Sequence, residues 1–491
     1  MPLAALAILA VGALAWPFTV DDAFITARYA RHIGAGRGPT YAEDDAAADA
    51  TDGVTGPLWI LPGALAELVG LDPVASQKAL GLALIAVAAA LVVSRAGQRR
   101  GGTLAAPLTA LLVASGPTLG VWGVAGLETG AATLALTGAL LGATARPRVN
   151  AVLVGVCVGL LAWLRPEACP AGLIALVATG VRGGRRAGAT AAVIALMLVI
   201  GVVVYRVALF GELLPLAVQA KPGELTAGAA YVFRGACVTT GVAGLVLASL
   251  AAWRGRAGDV WALGIVVTFS SSVAVAGGDW MPGFRLLAPI LPTVALLAGV
   301  ASARVLLRSR RPAIRVGVGL ALAVAMLVPL LDLAVQLPEV RAAGEVRERV
   351  GRPLALWLAA HASRVALVDV GFLPYVGHFE VVDLGGVTDP EVARTPGAHL
   401  DKTIDPAWLA SRAPDAIVLH ASIAPRVSTT GELTSLAGYP VERRVARMPW
   451  VRASFRVARV VEYAPGYVYV VLLPRREAAS RRGNATPHAP P

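Results

Sequence analysis

The chain has 491 residues, of which 56% are hydrophobic, and its formal net charge is +12 at pH 7. Soluble domains are about 45–50% apolar, and this chain contains many uncharged windows of about 18–20 residues, so the composition predicts a polytopic membrane protein. The basic excess does not indicate nucleic acid binding, because the arginines cluster in short gaps between apolar segments. The three cysteines, Cys157, Cys169 and Cys237, lack ligand spacing, and we interpret them as packing residues.

Apolar stretches recur along the first two thirds of the chain and predict about eleven membrane crossings. They run over residues 3–19, 74–94, 103–122, 128–145, 149–164, 167–181, 187–207, 235–253, 258–276, 285–304 and 316–335. The first could pass for a signal peptide but lacks a basic start, and we interpret it as a retained helix. The stretch 57–70 is short and marked by Pro and Gly, which is typical of an interfacial or re-entrant helix.

The gaps between these stretches alternate in charge. One set is basic and contains Arg95, Arg99, Arg100, Arg146, Arg148, Arg182, Arg185, Arg186, Arg254, Arg256, Arg304, Arg308, Arg310, Arg311 and Arg315. The other set contains Asp21, Asp22, Glu128, Glu167, Glu212, Glu224 and Asp279. Basic gaps favour the cytoplasm, so the acidic gaps are predicted to lie together outside. A cytoplasmic N-terminus and eleven crossings then place the C-terminal part outside too.

The composition changes near residue 337, where apolar runs shorten to strand length. They cover residues 365–371, 380–386, 416–420 and 467–474, with helical patterns between them. This predicts a small extracytoplasmic α/β domain over 337–475, after a transmembrane domain over 1–336 with an outer loop at 17–57. The polar tail 476–491, which includes an Asn484 sequon, is predicted to be disordered. The predicted fold class is therefore mainly α, polytopic, with a C-terminal α/β domain.

The outer loop after the first apolar stretch holds the adjacent carboxylates Asp21 and Asp22. Thr19 and Asp22 resemble a helix-capping pair, which would explain Asp22 alone but leaves Asp21 unexplained. Acids this close to a membrane are costly unless water, a cation or a partner accepts them. The helix predicted over 23–33 resembles an interfacial amphipathic helix, with Arg28 on its polar side. We expect one of the two Asp residues to do chemistry.

Two further acidic motifs lie at predicted outer helix ends. Glu128 could simply stabilise a helix N-terminus through the helix dipole, or it could have a functional role. Pro166 and Glu167 form a helix-start signal. Arg165 before them faces the outer side against the charge rule, so it either pairs with an outer acid or holds a phosphate.

Cationic residues on the acid-rich side are the remaining candidates. Lysine occurs only at Lys78, Lys221 and Lys402, so Lys221 there suggests a phosphate contact, with a membrane-surface anchor as the alternative. Asp279 and Arg285 lie in the glycine-rich GGDWMPGFR motif. They could pair with each other, or Arg285 could hold an anionic donor.

Seven segments in order resemble the GT-C superfamily of integral-membrane glycosyltransferases, and in particular the mycobacterial terminal β-arabinofuranosyltransferases and their bacterial relatives. They are DDAFITARYARHI, TDGVTGPLW, GLET, LRPE, FGELLP with AK, GGDWMPGFRLLAPILP and DVGFLPYVGHFEVVDLGGVTDPE. The chain departs from the usual pattern over residues 41–57. The resemblance implies a cell-envelope enzyme of the bacterial inner membrane that moves a sugar from a polyprenyl phosphate to an acceptor outside.

The resemblance also assigns residue roles. The acid in the first outer loop acts as general base, a role that falls to Asp21 with Asp22 second. A carboxylate must take the acceptor proton, cations must hold the phosphate charge, and single displacement inverts the anomeric centre. The candidate phosphate-binding residues are Lys221, Arg285, Arg165 and Arg28, and further expected pocket residues are Glu128, Asp279 and Trp59.

The expected partners are a polyprenyl-phosphate sugar, a glycan, lipid or protein acceptor and the lipid bilayer, but not nucleic acid. No cofactor and no metal residues are predicted, although Asp21 and Asp22 are compatible with a divalent cation. Two rival interpretations stay open. A transporter or flippase of lipid-linked sugars would use the same acidic pocket. A non-catalytic envelope assembly subunit would leave Asp21 dispensable.

Overall fold

The computed structural model describes residues 2–43, 50–145, 148–221, 223–253 and 257–475. Arg146, Arg254, Arg256 and the predicted disordered tail 476–491 lie outside the described residues. The chain divides into two compact units. The first contains Met1–Ala23, Thr55–Leu213 and Pro222–Ala343, and the second contains Phe24–Val54, Leu214–Lys221 and the chain from Gly344 onward.

Helices dominate the chain. In order they are α1 (Pro2–Leu14), α2 (Asp21–Gly34), α3 (Ile60–Leu68), α4 (Pro73–Gly97), α5 (Gly102–Ala114), α6 (Pro117–Gly123), α7 (Thr129–Ala143), α8 (Ala151–Leu164), α9 (Cys169–Phe210), α10 (Leu216–Ala220), α11 (Leu225–Thr239), α12 (Gly241–Trp253), α13 (Ala257–Val275), α14 (Leu291–Arg308), α15 (Pro312–Val346), α16 (Arg352–His361), α17 (Phe372–Gly377), α18 (Pro390–Arg394), α19 (Pro406–Ser411), α20 (Pro440–Arg447) and α21 (Pro449–Ser454). Short 3-10 turns precede α3, α9 and α14, and a π-helical turn precedes α16.

Many of these helices have the length and composition of membrane spans. Among the described residues, five helical stretches are long and apolar enough to cross a membrane, and two bent helix pairs bring the number to seven. Four shorter apolar helices accompany them: Pro2–Leu14, Pro57–Leu68, Thr129–Ala143 and Ala151–Leu164. The predicted mainly α fold with apolar helices is therefore confirmed, and the number of eleven crossings stays a prediction.

Helix α9 is two helices joined at Gly184, where the backbone has φ 84° and ψ 173°. A Cβ added to Gly188 would lie 2.8 Å from the Cα of Gly180. Residues eight apart in a straight helix are separated by about 12 Å, so the chain reverses direction at Gly184. The halves correspond to the stretches predicted at 167–181 and 187–207.

A buried carboxylate connects three segments at one end of unit 1. Asp259, near the start of α13, lies 3.2 Å from the Nη2 of Arg99 and 2.7 Å from the Nη2 of Arg304. Arg99 follows α4 and Arg304 belongs to α14. Because the Asp259 side chain is only 2% exposed, both cations are required to offset the cost of its burial.

Unit 2 contains a five-stranded mixed sheet. Its strands are β1 (Arg364–Leu367), β2 (Glu380–Asp383), β3 (Ala416–Ala421), β6 (Phe455–Ala464) and β7 (Tyr467–Pro474), and the short β4 (Arg426–Val427) and β5 (Leu433–Ser435) form a separate ribbon. The sheet order is β2-β1-β3-β7-β6, with β1 parallel to β2 and β3 and the other pairs antiparallel. The predicted C-terminal α/β domain is thus present, and all four predicted strands are found, whereas β6 was not predicted.

The segment Phe24–Val54 packs against the C-terminal part of unit 2. The ring of Phe24 lies 4.9 Å from the ring of Phe372 in an edge arrangement. On the other side of α2, the buried Arg28 donates from Nη2 to the carbonyl of Phe379 (3.1 Å). The prediction of an interfacial amphipathic helix is wrong for this part of α2, because both its apolar and its polar side are covered by protein.

Candidate active site

A short turn in unit 1 sets the position of Asp21 and Asp22. The Lys78 ammonium on α4 donates to the carbonyl of Trp16 (2.5 Å) and to the hydroxyl of Thr19 (2.8 Å). Helix α2 begins at Asp21, and Asp21 and Asp22 form its acidic first turn. Acids are favoured there by the helix dipole. Thr19 lies two residues before the helix, so it does not occupy the predicted N-cap position.

The second wall of the site is built from the loop before α7. Gly126 has φ 88°, and a Cβ there would lie 2.7 Å from the Cβ of Ala23, so only glycine allows this approach. The indole of Trp59 donates to the Gly126 carbonyl (2.9 Å), and Gln77 donates to the carbonyl of Trp59 (2.8 Å). Trp59 is thus a buried residue that holds the loop next to α2.

Arg165 and Glu128 form the first charged pair of the site. Arg165 Nη2 lies 2.9 Å from Glu128 and also donates to the hydroxyl of Thr129 (3.2 Å), and Nη1 lies 3.2 Å from Glu167. Arg165 is 3% exposed, and its Nε has no hydrogen-bond partner among the described residues. Of the two alternatives for Arg165, the structure shows the pairing with acids, namely Glu128 and Glu167.

Arg285 and Asp279 form the second charged pair. The guanidinium Nε donates to Asp279, and the charges of Asp22 and Glu128 also act on Arg285. The same guanidinium lies 5.7 Å above the ring of Trp122. The two arginine pairs and the acid of α2 therefore belong to one electrostatic cluster in unit 1.

Two buried residues near this site are not singled out by the sequence analysis. Trp122 is fully buried, and its indole N–H has no hydrogen-bond partner among the described residues. Lys78 is 5% exposed. The scarcity of lysine marks Lys78 as much as Lys221. For Trp122, nothing in the local sequence distinguishes it from a packing residue.

The two other predicted phosphate-binding residues belong to unit 2. Arg28 is fully buried, donates from Nε to the carbonyl of Tyr41 (2.9 Å) and lies 3.4 Å from Glu43. Lys221 is exposed at the C-terminal end of α10. Neither residue is part of the cluster that unit 1 builds by itself.

The donor set of the cluster suits an anion or a hydroxyl group better than a metal. No three His, Cys, Asp or Glu side chains within the described ranges are placed to hold a metal ion. The cluster instead combines carboxylates, which can accept a proton, with guanidinium and ammonium groups, which can stabilise a developing negative charge.

Comparisons with known proteins agree with this fold. Residues 338–477 match the family described as a domain of unknown function, DUF8728. No curated protein sequence matches the chain significantly. The crystal structure of ArnT from Cupriavidus metallidurans bound to undecaprenyl phosphate is similar, with 15% identity, a TM-score of 0.60 and coverage of 96% of this chain and 97% of ArnT. The apo structure of the same ArnT is 13% identical, with a TM-score of 0.58 and coverage of 95% of this chain and 97% of ArnT. The chain therefore has a fold similar to that of ArnT over nearly its whole length.

Proposed function

We propose that this protein is a GT-C-type glycosyltransferase that moves a sugar from a polyprenyl-phosphate donor to an acceptor of the bacterial cell envelope. The main support is the fold, which is shared over nearly the whole chain with ArnT, a GT-C glycosyltransferase whose structure holds undecaprenyl phosphate. The cluster of unit 1 supplies the chemistry that such a transfer needs. A polyprenyl phosphate leaves as a stabilised anion, so a strong general acid is not required.

In this proposal Asp21 or Asp22 is the general base. The base removes the proton of the acceptor hydroxyl while that oxygen attacks the anomeric carbon and the phosphate leaves with the bonding electrons. Both residues lie in the first turn of α2, so both are tested. A single displacement inverts the anomeric centre.

Arg285 and Arg165 are the proposed phosphate-binding residues. Each is already held by a carboxylate, Asp279 and Glu128 respectively, which fixes its side chain before the donor arrives. Preformed cations lose little freedom when they bind an anion. The buried indole N–H of Trp122, which has no hydrogen-bond partner in the described part of the chain, is a further donor at this position. Arg28 and Lys221 stay less supported candidates.

The proposed location is the bacterial inner membrane, with the N-terminus in the cytoplasm and the α/β domain outside. The alternating basic and acidic gaps support this orientation. The acceptor is a glycan, lipid or protein of the envelope. The likeness to arabinofuranosyltransferases rests on the sequence motifs and makes a furanosyl donor the first to test, together with other sugars.

The test is sugar transfer by purified protein from a panel of synthetic polyprenyl-phosphate sugars, with envelope glycan fragments as acceptors. We expect Asp22→Asn, or Asp21→Asn if that residue is the base, to lower turnover about 10²–10⁴-fold, as loss of a general base does. Donor binding and thermal stability should stay close to those of the wild type. Asp401→Asn, a change at an exposed surface carboxylate, is the matched control.

Two outcomes would count against the proposal. Wild-type protein that binds a donor without turnover, and equally well in both Asp variants, would favour the assembly subunit. Protein that moves an intact lipid-linked sugar across vesicles would favour the flippase.

A further inference from the structure

The carboxyl ends of two neighbouring parallel strands meet in unit 2 at a place where ligands bind in α/β sheets. In the order β2-β1-β3, the chain leaves β1 toward β2 on one side and leaves β3 toward the opposite side of the sheet. Such a switch in connection direction opens a crevice between the two strands, and α/β proteins use it as a ligand site. Asp369 follows the end of β1, and His420 lies near the end of β3.

Asp369 is held at this crevice through only one of its two carboxylate oxygens. Its Oδ2 accepts from the Nε2–H of His420 (3.0 Å) and from the hydroxyls of Tyr467 (2.9 Å) and Tyr469 (2.7 Å). Within the described residues its Oδ1 has no hydrogen-bond partner, and 27% of the side chain is exposed. One oxygen is therefore fixed by three donors, and the other is left for a donor from outside.

The support behind Asp369 is rigid. His420 Nδ1 donates to Glu442 (2.5 Å), and Glu442, which is fully buried, also accepts from the backbone N–H groups of His420 (3.0 Å) and Tyr439 (3.2 Å). A histidine held between two carboxylates cannot rotate without breaking both bonds. Asp369 is thus pre-positioned, which lowers the entropic cost of binding a ligand.

Aromatic rings pack around His420, the histidine that holds Asp369. The rings of Tyr467 and Tyr469 lie 5.0 and 4.9 Å from the His420 ring, and Tyr463 lies 5.6 Å from Tyr467. Tyr463 and Tyr467 are half-buried, so parts of their ring surfaces face outward. The crevice therefore offers one fixed hydrogen-bond acceptor beside an apolar aromatic surface.

The charges of the crevice select the class of ligand. An anion is disfavoured by the carboxylate, and no metal-binding group of three acids, histidines or cysteines occurs in the described ranges. Burial alone would lower the pKa of His420, but Asp369 and Glu442 together raise it to about 10. His420 is therefore a cation at neutral pH, so both of its ring nitrogens donate and the second oxygen of Asp369 stays a hydrogen-bond acceptor. The open carboxylate oxygen favours a ligand with hydroxyl donors, and the neighbouring tyrosine rings favour one with an apolar face. A sugar ring has both.

We propose that this crevice binds a sugar ring of an envelope glycan, with Asp369 Oδ1 accepting from a sugar hydroxyl and Tyr463 and Tyr467 contacting the ring face. The proposal adds a glycan-binding site in the C-terminal domain to the proposed transfer activity. It does not depend on that activity, because glycan binding requires neither a donor nor turnover.

The test is binding of full-length protein in detergent micelles to an array of bacterial envelope oligosaccharides that contains furanose and pyranose types. Wild-type protein should bind at least one glycan. Asp369→Asn, which replaces the open acceptor by an amide N–H₂ donor, should weaken that binding about tenfold or more. Tyr463→Ala should weaken it as well, whereas Tyr463→Phe, which keeps the ring, and Asp401→Asn should bind like the wild type.

The thermal transition of each variant shows whether it folds. If Asp369→Asn does not fold, the comparison of Tyr463→Ala with Tyr463→Phe tests the proposal. Absence of any glycan binding by the wild type, or equal binding by wild type, Asp369→Asn and Tyr463→Ala, would overturn the proposal and leave the cluster as a support of the sheet. Neither result would bear on the proposed sugar transfer, which is tested separately with the Asp21 and Asp22 variants.

Discussion

At the scale of single residues, the charge on His420 shows how the C-terminal domain uses buried ionisable groups. The imidazolium is 4% exposed and lies between Asp369 and Glu442. A buried charge of this kind is tolerated because its partners are buried with it. Removing one partner leaves the others unpaired, so the cluster acts as a unit. This coupling makes the stability of the domain depend on pH.

We predict that the C-terminal domain loses stability as pH rises above neutral. The pKa of His420 is raised from 6.5 to about 10 in the folded chain. The folded state therefore binds a proton that the unfolded state releases, and the stabilisation is complete below pH 6.5 and disappears as pH approaches 10. The measurement is the thermal transition of the full chain between pH 6 and 10. In His420→Gln the decline over this range should be smaller, and an equal decline would contradict the assignment.

A pairing within one sequence motif could be predicted, whereas pairings between distant segments could not. Asp279 and Arg285 are six residues apart in one motif, and the expectation that they could pair agrees with the structure. Lys78 and Thr19 are 59 residues apart, and His420 and Asp369 are 51 apart. Contacts over such distances follow from the path of the chain through the fold, which no local pattern encodes.

At the scale of helices and strands, Asp259 is a buried residue whose loss should be costly in unit 1. We predict that Asp259→Asn destabilises the protein by about 3–5 kcal/mol, because Arg99 and Arg304 would lose a buried partner. Glu348→Gln is the control, since Glu348 forms an exposed i,i+4 pair with Arg352 and should cost less than about 0.5 kcal/mol. Thermal unfolding in the same detergent measures both. Similar shifts for the two variants would show that the Asp259 pairs contribute little.

The turn within α9 gives a second prediction for an element. Gly184 has a backbone conformation that is almost restricted to glycine, and a Cβ there would meet nothing within 4 Å. Gly184→Ala should therefore destabilise the hairpin by about 1–3 kcal/mol through backbone strain alone. Gly317→Ala, in the helical α15 and equally free of contacts, should stabilise by up to about 1 kcal/mol. We expect the unfolding temperature to fall in Gly184→Ala and to rise in Gly317→Ala. An unchanged unfolding temperature in Gly184→Ala would contradict the strain argument.

The elements that the sequence predicted are those with a strong repeating pattern. The strands β1, β2, β3 and β7 are short apolar runs and were found. The sequence does not predict β6, because Arg456 and Arg459 interrupt its apolar residues. These arginines are tolerated because β6 is an edge strand with one side partly exposed. The amphipathic pattern of α2 predicts a helix on the membrane surface, because the sequence gives no sign that protein covers its polar side.

At the scale of the whole molecule, the charge pattern yields a prediction for membrane orientation. In a variant in which the three native cysteines are replaced by alanine, Ser309→Cys should react with an impermeant thiol reagent only after the cells are opened, since residues 304–315 form a basic gap. Ser435→Cys, on the exposed ribbon strand β5, should react in intact cells. The reverse pattern would invert the proposed orientation and place the α/β domain in the cytoplasm.

The mainly helical fold with apolar helices was predictable from the sequence, because the length of each apolar segment can be seen in it. The composition of unit 2 was harder to predict. It combines residues 24–54 and 214–221 with the C-terminal domain, whereas the sequence shows only a change of composition near 337. Tyr41, whose hydroxyl donates to the carbonyl of Val370, carries no local sign of that contact.

The hydrogen bond between Arg28 and Phe379 joins residues 351 positions apart. This separation determines how long after Arg28 the ribosome makes Phe379. Ribosomes add about 5–20 residues per second, so on the order of 20–70 s pass between the synthesis of the two partners. During that interval the buried Arg28 of the finished protein is made but has no Phe379 to bind. The second unit can therefore close only after Phe379 has been made, and a chain that stops before this residue lacks the partner of Arg28.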